Sequence, residues 1–94
     1  MKLIVQIPCY NEEKTLPLVL KDIPKRIKGV DEIEILVIDD GCSDKTVAVA
    51  KKHKVTHILH HKTNKGLARS FADGIQFALS HGADIIVNTD ADNQ

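Results

Sequence analysis

Short apolar runs alternate along the chain with segments in which apolar residues recur every three or four positions. Continuous aliphatic runs are typical of buried parallel strands, and the wider spacing is typical of amphipathic helices. The predicted elements are strand 3–7, helix 15 to about 27, strand 34–38, helix 45 to about 53, strand 55–59, helix 67 to about 80 and strand 83–89. This alternation predicts an α/β fold, a parallel sheet of about four strands with flanking helices.

Prolines and polar residues suggest where these elements begin and end. Pro8 should end the first strand, because a proline has no N–H for the ladder of a central strand. Pro24 should kink or stop the first helix, which Gly29 ends in any case. Ser43 or Asp44 can cap the second helix.

The charge balance and composition exclude several classes of function. Among 94 residues, 13 are Lys or Arg and 13 are Asp or Glu, so the formal net charge is zero. A nucleic-acid-binding protein would carry a basic surplus, and only 3% of the residues are aromatic, too few for base-stacking surfaces. We therefore expect no nucleic-acid partner and a cytoplasmic location. Cys9 and Cys42 should be free thiols in that compartment.

Polar residues collect directly after three of the four predicted strands. They occupy the segments 8–13, 39–44 and 90–94. Ligands of open α/β sheets bind at the carboxyl ends of the strands, where the strand order reverses. If the order is 3-2-1-4, the three segments share one edge, and five or six carboxylates meet there. Such crowding requires a cation or hydrogen-bond donors.

Asp90 and Asp92 form an Asp-x-Asp motif at this edge. Carboxylate oxygens suit Mg²⁺ or Mn²⁺, which often bind the phosphates of a substrate as well. The motif therefore indicates a divalent metal that holds a diphosphate.

The other polar segments each allow a structural interpretation beside a functional one. The 39–41 segment fits a simple turn, and the 11–13 segment fits the start of a helix. Tyr10 fits either the core or a rim where its ring faces a nucleotide base. The 64–69 segment fits either a phosphate-binding helix start or a solvated basic loop.

Three histidines, at positions 57, 60 and 61, suggest zinc at first sight. Alternation along a strand places His60 and His61 on opposite faces, and no cysteine spacing supports a zinc site. Dinucleotide-binding and Walker-type glycine loops do not occur in the sequence.

Four motifs occur in order along the whole chain: Pro8-x-Tyr10-Asn11-Glu12-Glu13, Asp39-Asp40-Gly41-x-Ser43-Asp44-x-Thr46, Asn64-x-Gly66 and Asp90-Ala91-Asp92-Asn93-Gln94. Together they resemble the family 2 inverting glycosyltransferases of the GT-A fold, in particular the dolichyl-phosphate and polyprenyl-phosphate mannose or glucose synthases. The resemblance covers residues 1–94 and only the N-terminal, Rossmann-like nucleotide-sugar-binding part of such an enzyme.

The resemblance implies substrate-binding roles for Pro8, Tyr10, Glu12, Ile38, Asp40, Ala91 and Gln94, and metal-binding roles for Asp90 and Asp92. The first three would line the nucleotide pocket, Ile38 and Asp40 would contact the base or ribose, and Ala91 and Gln94 would lie beside the sugar nucleotide. The implied cofactor is Mg²⁺ or Mn²⁺. The implied donor is a nucleotide-diphosphate sugar of the GDP-mannose or UDP-glucose type, and the acceptor is a polyprenyl phosphate at the membrane surface.

The last residues follow the fourth predicted strand directly, so we expect the N-terminal part of a longer transferase. The catalytic base should then lie outside this chain, which would bind donor without turnover, and only the longer form would associate with membranes. The open edge of the fourth strand should favour self-association. Two alternatives remain: a Mg²⁺-dependent phosphoryl-transfer domain with a nucleophilic aspartate, and a non-catalytic nucleotide-binding fragment.

Overall fold

The computed structural model describes residues 1–91, in which four strands alternate with three helices. The elements are β1 Lys2–Cys9, α1 Leu16–Asp22, β2 Glu32–Asp40, α2 Thr46–Lys52, β3 His57–His61, α3 Leu67–Ser80 and β4 Ile85–Asn88. All strand pairs are parallel, and the strand order is β3-β2-β1-β4. The predicted α/β architecture is confirmed, and the strand order is the predicted 3-2-1-4, with the ends of β1, β2 and β4 at one edge of the sheet.

The helices cover both faces of the sheet. The chain moves in one direction across the sheet from β1 to β3 and then returns to β4 on the other side of β1. Right-handed crossovers therefore place α1 and α2 on one face and α3 on the other. The α1 and α2 face buries Leu3, Val5, Ile7, Val37, Leu16, Val19 and Ala50, and the α3 face buries Ile4, Leu36, Ile38 and Ala78.

Helix α1 is shorter than the sequence pattern predicts. It ends at Asp22, and Ile23 is extended, with φ −74° and ψ 123°. The residue before a proline is sterically excluded from the helical region, so Pro24 stops the helix one turn early. The predicted continuation to about Ile27 is therefore wrong.

The prediction that Pro8 ends the first strand is also wrong, because β1 runs through Pro8 to Cys9. The backbone of Gln6 accepts a hydrogen bond from Thr89 N, which places the polar groups of Gln6 on the β4 side. Residues two apart in a strand direct their backbone N–H and C=O groups toward the same neighbouring strand. Pro8 thus faces β4 beyond its last paired residue, where the missing N–H breaks no bond of the observed ladder.

Strands β2 and β3 extend two residues beyond the apolar runs that predict them. The added positions pair Asp39 with His60 and Asp40 with His61 in register. These acids and histidines hydrogen-bond to each other across the strands, so the ladder continues where hydrophobicity stops.

The longest described helix, α3, has 14 residues and packs closely on the sheet through Gly74. A Cβ atom at Gly74 would lie 1.8 Å from Gln6 Oε1 and 2.6 Å from Ile38 Cδ1. The glycine is therefore required for the distance between α3 and the sheet. No helix within residues 1–91 combines the length and the apolar character needed to cross a bilayer.

We expect Gly74→Ala to lower the free energy of unfolding in urea by about 1–3 kcal/mol, the usual cost of overpacking. In an open helix the same change would add about 1 kcal/mol of helix stability. Gln76→Ala, at an exposed position of the same helix, is the control and should change little. A Gly74→Ala variant more stable than the parent would show that the Gln6 amide moves aside without cost.

Candidate functional site

A cavity of about 280 Å³ lies at the carboxyl ends of β1 and β2, next to the start of α3. It is lined by Pro8, Cys9, Tyr10, Glu12, Asp40, Asn64, Gly66, Leu67 and Ser70. Four of the residues predicted to bind substrate, Pro8, Tyr10, Glu12 and Asp40, therefore meet at one place.

The carboxylate of Asp40 holds the connection between β3 and α3 against the end of β2. Its Oδ1 accepts hydrogen bonds from Lys65 N at 2.8 Å and from His61 Nδ1 at 2.9 Å, and its Oδ2 accepts one from Gly66 N at 3.0 Å. Asp40 is only 4% exposed. Burial alone would raise the pKa of this carboxyl, but the three donors outweigh it and lower the pKa. An ionised aspartate thus fixes the start of α3 at the cavity.

His61 extends this contact into α3. Its Nε2 lies 2.8 Å from Asp73 Oδ2, and Asp73 also accepts a hydrogen bond of 3.0 Å from Arg69 Nε. His61 is buried. Its ring thus lies between two carboxylates, Asp40 at the end of β2 and Asp73 in α3. No sequence pattern indicates this role of His61, because the contact with Asp73 depends on how α3 packs on the sheet.

Asp39 points to the opposite side of β2 and is also engaged internally. It accepts hydrogen bonds from Cys42 N at 2.8 Å and from His60 Nδ1 at 2.9 Å. Burial alone would raise the pKa of Asp39, but these donors lower it. The bond from Cys42 is that of a local turn, which agrees with the structural interpretation of this segment. The turn also requires Gly41, because a Cβ atom there would lie 2.6 Å from Asn64 N.

Asn11 joins the loops that follow β1 and β2. It has a positive φ of 55°, a conformation that asparagine tolerates better than most residues. Its Oδ1 accepts a hydrogen bond from Ser43 N at 2.8 Å, and its own N–H approaches Cys42 Sγ at 3.3 Å. Glu12 N donates to Thr46 Oγ1 at 2.8 Å. These bonds hold the loop that carries Tyr10 and Glu12, a role of Asn11 and Thr46 that no sequence pattern indicated.

Tyr10 occupies the rim of the cavity and is half exposed, at 51%. The sequence allowed Tyr10 either a core or a rim position, and the structure has it at the rim. Glu12 is partly buried, and its Oε2 accepts a hydrogen bond of 3.2 Å from Thr15 Oγ1.

Of the remaining predicted site residues, the three that the structure describes, Ile38, Asp90 and Ala91, do not line this cavity. Ile38 is fully buried against α3, so its side chain offers no surface to a ligand, and Ala91 is buried in the cluster on the α1 face. Asp90 is exposed just beyond β4 and lines an open groove with Val87. Asp92 and Gln94 lie outside the described residues. Within residues 1–91, no three His, Cys, Asp or Glu side chains form a group suited to a metal.

Comparison with known proteins identifies the family. The model of glycosyl transferase family 2 matches residues 4–94. The chain belongs to glycosyl transferase family 2. The resemblance seen in the four motifs is thereby confirmed.

Two curated relatives show how much of a family 2 protein the chain represents. It is 34% identical over 96 residues to the undecaprenyl-phosphate mannosyltransferase of Micrococcus luteus, covering 98% of this chain and 38% of the relative. It is 32% identical over 94 residues to the polyprenol monophosphomannose synthase of Mycolicibacterium smegmatis, covering 95% of this chain and 34% of that protein. The chain thus spans about a third of the length of these relatives.

Solved structures confirm the GT-A type of fold. S. aureus TarS 1–349 in complex with UDP-GlcNAc superimposes with a TM-score of 0.76 and 27% identity, covering 98% of this chain and 27% of TarS 1–349. The four-stranded parallel sheet and its helices therefore correspond to part of a larger family 2 domain.

The lowered pKa values of Asp39 and Asp40 predict loss of stability in acid. A lowered folded-state pKa adds stability above the unfolded value of about 3.9, and this stability is lost as the pH falls through the folded value. Asp40→Asn should flatten the fall in unfolding free energy below about pH 5. At pH 7 the variant should lose about 1–3 kcal/mol, because its amide opposes buried donors.

Urea unfolding at a series of pH values measures both effects. Asp22→Asn, at the exposed end of α1, is the control and should keep the parental pH slope. Equal slopes for Asp40→Asn and the parent would contradict the assigned role of the Asp40 carboxylate.

Proposed function

We propose that this chain is the donor-binding part of a glycosyltransferase that transfers a sugar from a nucleotide-diphosphate sugar to an acceptor. The observation that carries the proposal is the cavity itself. Tyr10 and Glu12 stand on one side of it, and the start of α3, held by Asp40, stands on the other. Membership of glycosyl transferase family 2 supports the same function.

The side chains at the cavity suit a nucleoside. The half-exposed ring of Tyr10 can stack on a base, because every base has an aromatic face. Asp40 uses three of the roughly four acceptor positions of a carboxylate internally, which leaves one for a donor on the base or ribose. Pro8 and Glu12 complete this wall, and Ile38 would contribute through its backbone. The UDP-GlcNAc complex of TarS, 27% identical to this chain, supports a uridine-type donor as one candidate beside GDP-mannose.

We assign the diphosphate to the other side of the β1 terminus, where Asp90 follows β4. Asp90 is exposed, and carboxylate oxygens are ligands that suit Mg²⁺ or Mn²⁺. Asp92 would provide the second carboxylate, with Ala91 and Gln94 beside the sugar. When bound, such an ion supplies the positive charge that stabilises a departing nucleoside diphosphate.

The acceptor in this proposal is a polyprenyl phosphate at the membrane surface. The two curated relatives carry names of enzymes that glycosylate such lipids. A phosphate oxygen is already anionic and needs little help from a base for an in-line, inverting attack. Any catalytic base lies outside residues 1–94, so this chain binds donor without turnover.

Phosphoryl transfer to an aspartate is the competing enzymatic function. It would need a carboxylate at a strand end that is free to attack phosphorus. Asp39 and Asp40 are both buried and hold internal donors, which argues against either as a nucleophile and favours donor binding. The non-catalytic alternative shares the donor site and differs only in the absence of transfer by any longer form.

Calorimetry with UDP and GDP tests the metal site. We expect one nucleotide to bind in Mn²⁺ or Mg²⁺ and to bind at least about tenfold more weakly in EDTA, which corresponds to about 1.4 kcal/mol. Asp90→Asn should remove the metal-dependent part of the affinity. Asp84→Asn, at the opposite end of β4, should retain it.

Two outcomes would contradict this part of the proposal. Metal-independent binding that Asp90→Asn leaves unchanged would reject the role of Asp90. Transfer of sugar from a UDP- or GDP-sugar to a polyprenyl phosphate at a rate above background would contradict the proposal that this chain has no turnover.

Two substitutions at Tyr10 test the base contact. Tyr10→Ala should weaken nucleotide binding by about tenfold or more, since loss of an aromatic stacking partner costs about 1–3 kcal/mol per base. Tyr10→Phe keeps the ring and should bind as the parent does in the same titration. Because the side chain is half exposed, neither change should alter the melting temperature appreciably. Equal affinities for Tyr10→Ala and the parent would place the base elsewhere.

A further inference from the structure

The apolar residues of β4 do not determine its alignment with β1. Ile85 and Val87 face one side and are 37% and 39% exposed, and Ile86 faces the other side and is partly buried. A slip of one residue would turn each of these side chains to the opposite face. Aliphatic residues would still occupy both faces, so hydrophobic burial alone distinguishes the two alignments poorly.

A hydrogen bond between a buried amide on β1 and an exposed amide on β4 makes this distinction. Gln6 is fully buried in the central strand β1, and its Nε2 donates a hydrogen bond of 2.5 Å to Asn88 Oδ1, directly opposite in register. Thr89 N donates to the backbone oxygen of Gln6 at 3.1 Å. A slip in either direction would replace the Asn88 amide by Val87 or by the shorter hydroxyl of Thr89.

The environment of Gln6 makes the loss of this partner costly. Gln6 Oε1 already has no hydrogen-bond partner among the described residues, and Gly74 of α3 lies directly above it. A slipped β4 would leave the Nε2 group unpaired as well, and burying an unpaired amide costs about 1–3 kcal/mol in proteins. Buried polar pairs are best known for fixing one alignment of packed elements.

A second polar contact, between Lys2 and Asp84, holds the other end of β4 and lies at the surface. Lys2 N donates to Asp84 Oδ2 at 2.7 Å, and Asp84 N donates to Lys2 O at 2.8 Å. The Asp84 carboxylate is exposed, so water can replace its partner at little cost. It therefore offers a control for the contact that the fully buried Gln6 makes.

We infer that Gln6 and Asn88 form a register lock, a pair of positioning residues that sets the place of Asp90 at the end of β4. The inference rests on the proposed metal-binding function of Asp90. One residue of slip moves a strand by about 3.3 Å, whereas metal–oxygen distances tolerate about 0.2 Å. The register lock thus keeps Asp90 within reach of the metal ion that holds the diphosphate, although neither Gln6 nor Asn88 is assigned a contact with the nucleotide.

The test separates register from stability with three variants of the full 94-residue chain, labelled with ¹⁵N. The double variant Gln6→Leu/Asn88→Leu removes both amides together, a change that is often nearly neutral for stability. The swapped variant Gln6→Asn/Asn88→Gln keeps an amide pair. Asp84→Ala removes the exposed contact at the other end of the strand.

We expect the double variant to melt near the parental temperature but to show a second set of amide resonances for residues 85–90. Its Mn²⁺-dependent affinity for UDP or GDP should fall at least about tenfold. The swapped variant should restore the single set of resonances and most of the affinity, and Asp84→Ala should retain both.

A double variant with one set of resonances, parental β1–β4 contacts and parental Mn²⁺-dependent affinity would overturn the register lock. If the double variant fails to fold, Asn88→Val at the exposed end of the pair decides by the same readouts. If the parent binds no nucleotide with Mn²⁺, the proposed function fails, whereas the resonances still report whether the pair fixes the alignment.

Discussion

The ionised carboxylate of Asp40 is the contact on which the cavity depends. It accepts hydrogen bonds from three donors that come after α2 in the chain: His61 at the end of β3, and Lys65 and Gly66 just before α3. Without an acceptor there, Lys65 and Gly66 would leave two backbone N–H groups without a partner at the start of α3. The same contact sets the close approach at Gly41, where the backbone leaves no room for a side chain. One charge thus shapes the wall that faces Tyr10.

The parallel sheet explains why such distant segments can cooperate. In a parallel sheet all carboxyl ends lie at one edge, so the loops after β1 and β2 and the start of α3 become neighbours without any long excursion of the chain. Asn11 and Thr46 then tie the first two loops together. The result is a frame of loops whose parts support one another through backbone and side-chain hydrogen bonds.

Much of this fold was predictable because it depends on local patterns. Continuous aliphatic runs identified β1, β2 and β4, and the weaker apolar segment 55–59 identified β3. The strand ends identified the edge where Tyr10 and Asp40 meet. The errors have physical causes: Pro24 acts on the residue before it, and the ladder of β2 and β3 continues through acid–histidine pairs that no hydrophobic pattern reveals.

The contacts that position the site were less predictable. The links from His61 to Asp40 and from Gln6 to Asn88 exist only once the alignment of the strands is known. Asp40 and Asp90 belong to motifs of the sequence, whereas His61, Gln6 and Asn88 belong to none. The position of a polar residue in the sheet, rather than its type, decides whether it supports the site.

Pro8 has a further consequence for the edge of the sheet where the cavity lies. The β1–β4 ladder includes the hydrogen bond from Thr89 N to the carbonyl oxygen of Gln6. The next bond of the ladder would run from the nitrogen of Pro8 to the carbonyl oxygen of Thr89. A proline has no such hydrogen, so pairing stops there and the chain departs from the sheet. A proline in β1 therefore sets the point at which β4 stops pairing, and Asp90 follows directly after that point.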